Sequence, residues 1–255
     1  MTALRLEWRE RRADLILDRP PLNILDLEAL AALDSLTAEL AAADPIPQVV
    51  ILRSSSPRAF SAGVAVEDHT GERIRPALET FHRALLRLAA LPAISLAAVQ
   101  GHCLGGGFEL ALACDLMLVS EDARLGQPEI RLGCFPPFAA AALPRSLGTG
   151  TALDLMLRGE PLDGGEALRL GLAQRCVPAD RFAVALETWA GQLLGASRPV
   201  AHLLKRAVAA GSGKELPAAV AAAERIYLDE LLRVADMEEG LAAFRERRAP
   251  EWSHR

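Results

Sequence analysis

The amino-acid sequence predicts an α/β fold that finishes in a wholly helical region. Two patterns carry that expectation. Short apolar runs of strand length alternate with segments of helical period over the first two hundred or so residues, the order expected of a sheet built through crossover connections. After Ser197-Arg-Pro the strand-like runs stop, and only helical segments follow to about Arg247. The expected division is an α/β core over 1–196 and a C-terminal helical region over 197–255. With 255 residues, 51% hydrophobic and 24% charged, the chain can bury a core without disulfides or metals, and dominant disorder is excluded.

The elements follow in order. Leu4–Trp8 and Asp14–Leu17 read as two strands turning near Arg11–Arg12, and Arg19-Pro-Pro-Leu-Asn ends that hairpin. Asp26 caps a helix running to about Ala43, with Leu27, Leu30, Leu33 and Leu40 on one stripe. Asp44-Pro-Ile-Pro breaks it. Val49–Leu52 is continuously apolar, as a buried parallel strand requires. Ser54–Gly63 reads as a loop, Pro76 to Leu91 as a helix, and Ile94–Val99 as a strand. Gly101–Gly107 is a glycine-rich turn and Phe108–Cys114 a short helix. Leu116–Val119 is a further strand. Ala139–Leu147, Thr151–Arg158, Gly164–Leu170 and Ala179–Leu194 read as helices, with a short strand near Arg175–Val177.

Charge narrows the partners. Lys and Arg number 28 against 33 Asp and Glu, a net charge of −5, and no long basic run is present. Nucleic acid and anionic membranes are therefore not expected partners. No stretch approaches the ~18 apolar residues of a membrane span. The N-terminal residues lack the apolar centre of a signal peptide. Cys103, Cys114, Cys134 and Cys176 form no C-x-x-C pair and read as reduced thiols, so the expected location is cytoplasmic. His69, His82, His102, His202 and His254 show no ligand spacing, and no metal is expected.

The most informative segment is Ala98-Val-Gln-Gly-His-Cys-Leu-Gly-Gly-Gly-Phe-Glu-Leu-Ala-Leu-Ala-Cys-Asp115. Three glycines between a strand and a helix leave backbone N–H groups uncovered by any Cβ, and the first N–H groups of a helix lack intrahelical partners. Such a turn can hold an oxyanion, whereas the plain alternative is a tight turn needing positive φ. Nucleotide motifs fail on spacing: the glycines do not fit G-x-G-x-x-G. Gly211-Ser-Gly-Lys214 has Val208 where a phosphate loop needs its first glycine, and Glu215 where it needs Ser or Thr.

Phe60-Ser-Ala-Gly63-Val64 supplies a second glycine turn after a strand. Two backbone donors from two strand ends make the geometry that a thioester enolate needs. Glu109 lies just inside the helix after the glycines, and Glu129 lies in Leu125-Gly-Gln-Pro-Glu-Ile-Arg-Leu-Gly133. Either glutamate alone would be a solvated or capping residue. Two beside one glycine-lined site can work as an acid/base pair sharing a water.

These motifs resemble the enoyl-CoA hydratase/isomerase (crotonase) superfamily along essentially the whole chain. The likeness rests on Ala59-Phe-Ser-Ala-Gly-Val64, Gln100-Gly-His-Cys-Leu-Gly-Gly-Gly-Phe-Glu109, Cys114-Asp115, Gly126-Gln-Pro-Glu-Ile-Arg-Leu-Gly133 and Glu239-Gly-Leu-Ala-Ala-Phe-Arg-Glu-Arg-Arg248, in this order and spacing. The resemblance implies a spiral of ββα units with C-terminal helices that trimerise, often as a dimer of trimers. It implies an acyl-CoA substrate, with coenzyme A as part of that substrate and no separate cofactor. By position, the oxyanion donors are the Val64 and Gly106 N–H groups, with Ala62 beside them in the substrate site.

Retention of both Glu109 and Glu129 favours a hydratase over an isomerase. A catalytically silent oligomeric scaffold is the alternative from another class. After Gly133, where ordinary members run through Pro-Gly, this chain has Cys134-Phe135-Pro136-Pro137-Phe138, so Phe135 and Phe138 are candidates for the acyl pocket as well as for the core. The combination of Phe60–His69, Gly126-Gln-Pro-Glu-Ile-Arg-Leu-Gly133 and Phe135-Pro-Pro resembles cyclohexa-1,5-diene-1-carbonyl-CoA hydratases, which add water 1,4 across a dienoyl thioester. A general hydratase of linear enoyl-CoA is the alternative. Asp115 reads as structural, and Arg58, Lys205, Arg247 and Arg248 as solvated cations unless they meet CoA phosphates.

Overall fold

A computed structural model describes residues 3–255. The first part of the chain runs β1 (Leu4–Trp8), β2 (Arg12–Leu17), α1 (Leu27–Ala42), β3 (Val49–Ser54), β4 (Ala59–Ser61), α2 (Ile74–Ala90), β5 (Ile94–Val99), β6 (His102–Leu104), α3 (Gly106–Leu112), β7 (Leu116–Ser120) and β8 (Arg124–Gly126). There follow α4 (Pro137–Leu147), α5 (Thr149–Arg158), β9 (Leu162–Asp163), α6 (Gly164–Arg169), β10 (Arg175–Val177) and α7 (Phe182–Leu194). The helical region holds α8 (Arg198–Gly211), α9 (Leu216–Asp229) and α10 (Ala235–Glu246).

Two sheets result. The larger has the order β1-β2-β3-β5-β7-β10, parallel throughout except for the β1–β2 hairpin. The smaller has the order β4-β6-β8-β9, with only β9 antiparallel. The pairs β3/β4, β5/β6 and β7/β8 each place one strand in each sheet and are followed by helices. The chain therefore winds as a spiral of ββα units.

Local chemistry explains the main elements. Asp26 accepts the Ala29 N–H at 2.9 Å and starts α1, which buries Leu30, Leu33 and Leu40. Asp163 and Glu166 form a reciprocal capping box at the start of α6. Along β3 the side chains alternate between two cores, as strand geometry dictates. Val50 and Leu52 join the large core, while Val49 and Ile51 meet Phe182, Leu186 and Trp189 of α7 on the opposite face.

The structure corrects the sequence reading in three places. Ser54–Gly63 and Gly101–Gly107, read as a loop and a turn, contain β4 and β6, and β8 and β9 were not foreseen at all. Strands of two or three residues carry no measurable periodicity, so the second sheet was invisible. Lys205 is not a solvated cation. It reaches Asp115 at 2.6 Å, and the same carboxylate accepts both the N–H and the hydroxyl of Ser95.

Candidate active site

Both glycine turns leave the small sheet at the carboxyl ends of neighbouring strands. Beyond β4, residues 62–65 run beside 22–25. Ala62 N–H donates to Leu22 O at 2.9 Å, Leu25 N–H to Gly63 O at 2.9 Å, and Ala65 N–H to Leu25 O at 3.1 Å. Gly63 N–H donates to Ser61 Oγ at 3.1 Å. Val64 alone in this run has an N–H with no protein acceptor among the described residues. Beyond β6, Gly105 N–H donates to Gly126 O at 2.9 Å, while the Phe108 and Glu109 N–H groups turn back to Gly105 O. The Gly106 and Gly107 N–H groups have no protein acceptor among the described residues.

The two turns approach so closely that side chains are excluded. A Cβ on Gly106 would lie 3.3 Å from the Val64 nitrogen, and one on Gly63 would lie 3.2 Å from the Gly106 nitrogen and 2.8 Å from Leu104 O. Gly63 also has φ +102°, which L side chains rarely adopt. With only 7 residues α3 offers little macrodipole, so these two juxtaposed N–H groups are what the turn presents to an oxyanion.

The acids enter from α3 and from the turn after β8. Glu109 is 4% exposed, and its Oε1 accepts the Ala139 N–H at 2.9 Å. Burial raises its pKa, against the opposing donation of the Ala139 and Phe138 N–H groups. Glu129 is 9% exposed and opens a 3₁₀ turn over Glu129–Leu132. Burial pushes its pKa up to about 7 against its own backbone N–H, and the charge of Glu109 adds to the rise.

The fully buried Gln127 opposes that rise. With its amide oriented to satisfy both ends, its nitrogen donates to both Glu129 oxygens at 3.1 Å. Gly105 makes room for the carboxylate: a Cβ there would stand 2.7 Å from Glu129 Oε1. Two buried carboxyls that repel each other's charge are suited to holding one proton between them near neutrality.

All of this lines one cleft of about 760 Å³, to which Ala62, Val64, Gly106, Glu109, Glu129 and Phe135 contribute. Phe135 is 69% exposed and stands at the rim. Phe138, a candidate for the acyl pocket or for the core, is not among the residues lining the cleft. One residue past the Pro137 that starts α4, its side chain packs against the large core. Ile74, Ala77, Leu78 and Phe81 of α2 form an apolar wall that sequence reasoning did not assign, and His69 and Cys134 are also part of the lining. The helical period of α2 was legible, but nothing in it separates a face turned to a cleft from one turned to the core. Among the described residues no group of three or more His, Cys, Asp or Glu is placed to hold a metal.

Fold and site together define a protein of the crotonase class. A sequence model described as enoyl-CoA hydratase/isomerase matches residues 12–255. The chain is 35% identical over 251 residues to the cyclohexa-1,5-dienecarbonyl-CoA hydratase of Thauera aromatica, covering 97% of this chain and 96% of that protein. It is 29% identical over 249 residues to the crotonyl-CoA hydratase of Syntrophomonas wolfei, covering 95% of each. A crystal structure of enoyl-CoA hydratase from Bacillus anthracis superposes with a TM-score of 0.92 at 27% identity, covering 99% of this chain and 100% of that one. The chain belongs to the enoyl-CoA hydratase/isomerase family.

Proposed function

We propose that the protein adds water across the double bond of an α,β-unsaturated acyl-CoA thioester, and that its substrate is cyclohexa-1,5-diene-1-carbonyl-CoA. One observation carries the reaction class: Val64 and Gly106, whose N–H groups have no protein acceptor among the described residues, and two buried glutamates line a single cleft. The thioester oxygen accepts from the two N–H groups, which stabilise the negative charge that develops there. Glu109 and Glu129 hold a water. The carboxylate takes a proton from it as hydroxide adds at the β carbon, and the protonated carboxyl delivers a proton to carbon, so that one water is added in all. In a cyclic dienoyl thioester the enolate extends through the second double bond, and that proton arrives at its far end.

The cyclic substrate is supported by the name of the 35% identical relative and by the Cys134-Phe135-Pro136-Pro137 rim, which sets an aromatic ring and two rigid residues at the cleft. The linear alternative has support of its own in the crotonyl-CoA hydratase relative. Purified protein assayed with both thioesters in labelled water decides between them. The cyclic dienoyl-CoA is expected to be preferred by about tenfold or more in kcat/KM, with label in the product. Preference for crotonyl-CoA overturns the cyclic substrate, and double-bond migration without label overturns hydration.

The reading extends to assembly and location. Residues 197–255 act as a self-association region, giving a homotrimer or a dimer of trimers. In support, α8 and α9 bury no residue, and Leu204, Val208, Leu216 and Phe244 are exposed. Among the described residues no helix is long and apolar enough to cross a membrane. All four cysteines are free thiols, which supports a reducing, cytoplasmic setting.

A further inference from the structure

One buried polar cluster has no part in the reading above. Asn23, at φ +50°, is 1% exposed in the loop before α1. Asparagine tolerates that left-handed conformation better than most side chains do. Its Nδ2 donates to Ser54 Oγ at 2.7 Å, Phe60 O at 2.9 Å and Ala59 O at 3.1 Å, while its Oδ1 accepts the Arg19 N–H at 2.8 Å. Its own carbonyl accepts the hydroxyl of the fully buried Ser61 at 2.8 Å, and Ser61 Oγ in turn accepts the Gly63 N–H at 3.1 Å. A chain of hydrogen bonds thus runs from the α1 loop to the Ala62–Gly63 peptide, the one preceding the peptide that carries the Val64 N–H.

Peptide geometry gives this chain a consequence. The Gly63 carbonyl and the Val64 N–H belong to one planar trans peptide, so they point in opposite directions. Leu25 N–H holds the carbonyl from one side, and Ser61 Oγ holds the preceding N–H. With the peptides on both sides of Gly63 anchored, the direction of the Val64 N–H is set. We infer that Asn23 and Ser61 are positioning residues of the oxyanion site, whose hydrogen bonds aim the Val64 N–H at the thioester oxygen. The inference rests on the reading of Val64 as an oxyanion donor.

Two substitutions separate positioning from simple support. Ser61→Ala keeps the Cβ that packs toward Gly107 and removes only the hydroxyl. Asn23→Gly keeps the positive φ and removes the side chain. Each is measured for kcat and KM. Each is also placed in a Glu109→Gln/Glu129→Gln background with a bound arylacryloyl-CoA, whose absorbance moves to longer wavelength as its thioester carbonyl is polarised.

Ser61→Ala should lower kcat about tenfold with KM within about twofold, because the donor still binds but is misaimed in the transition state. It should also shrink the red shift. Asn23→Gly should act in the same direction and more strongly. A lowered Tm with kcat and the red shift both intact in Ser61→Ala overturns the positioning role. A bound chromophore showing no red shift even in the background with Asn23 and Ser61 intact overturns the assignment of Val64 itself, and the positioning role with it.

Discussion

The two sheets divide the work of the molecule. The larger is built from β2, β3 and β5, each of 6 residues, with neighbours that bury them. Both of its faces are sealed, one by the large core and one by α7. The smaller is made from strands of 3 residues, with β9 of only 2, too short to be stable alone. Yet β4, β6 and β8 end two or three residues before Val64, Gly106 and Glu129, the residues proposed to carry the chemistry. Stability comes from continuous apolar burial in one sheet. Geometry comes from close backbone approach in the other, where glycine is needed because no Cβ fits.

The largest effect should fall on the small sheet's side. Glu109→Gln and Glu129→Gln should each lower kcat by about a thousandfold, the range of a lost acid or base in a concerted proton transfer. Neither should lower stability. Burial raises both pKa values in the folded protein, so the fold holds these protons to higher pH than the unfolded chain does. Stability therefore falls as pH climbs from the ordinary carboxylate range through about 7, and it levels off above. A neutral glutamine removes that fall. Thermal melts of the variants at pH 8 should match or exceed those of the unsubstituted protein. Loss of stability together with activity would erase the distinction between the two sheets.

The converse substitution lies in the large sheet. Leu52 on β3 is 1% exposed within the large core, and Leu52→Ala should cost about 3 kcal/mol in denaturant unfolding. Its kcat per folded molecule should stay within about twofold, because strand pairing to β2 and β5 is made by the backbone. A proportionate fall in kcat would show that the two sheets are mechanically coupled.

The same division explains what could be read from the sequence. Val49–Leu52 and Ile94–Val99 announce strands because continuous apolar runs of that length have few other uses, and Asp26 announces a helix because its oxygen has an N–H to accept. Ala59–Ser61 and Leu162–Asp163 announce nothing, since two or three residues cannot display a period. The glycine turns and the two glutamates stood out in the sequence, because a glycine run marks where backbone can approach closely and a carboxylate is costly to bury unpaired. The structure brings Val64, Gly106, Glu109 and Glu129 to one cleft. Asn23 was passed over as the end of a hairpin, for its value lies in partners 31 to 38 positions away. Phe138 stayed open between pocket and core, because an aromatic beside an expected pocket packs equally well inward, and it packs against the large core.

The smallest and sharpest effect concerns Gln127, which belongs to neither proton-transferring group but bonds to one of them. It is fully buried, and its amide nitrogen meets both Glu129 oxygens at 3.1 Å. A donor to a carboxylate stabilises the charged form, so removing it favours the proton. Glu129, whose pKa burial already raises, should then titrate higher than it does with the donor in place. Because Glu109 and Glu129 interact, their two apparent steps belong to the pair, and both should move together. Gln127→Leu fills similar volume without donors. It should displace the bell-shaped kcat/KM profile to higher pH by about one unit, the equivalent of one modest charge-assisted hydrogen bond. The plateau should fall less than tenfold, since neither glutamate nor either oxyanion donor is lost. A profile that stays in place while the plateau collapses would mean that Gln127 orients Glu129 rather than tuning its proton, and would move it from the electrostatics of the small sheet to its geometry.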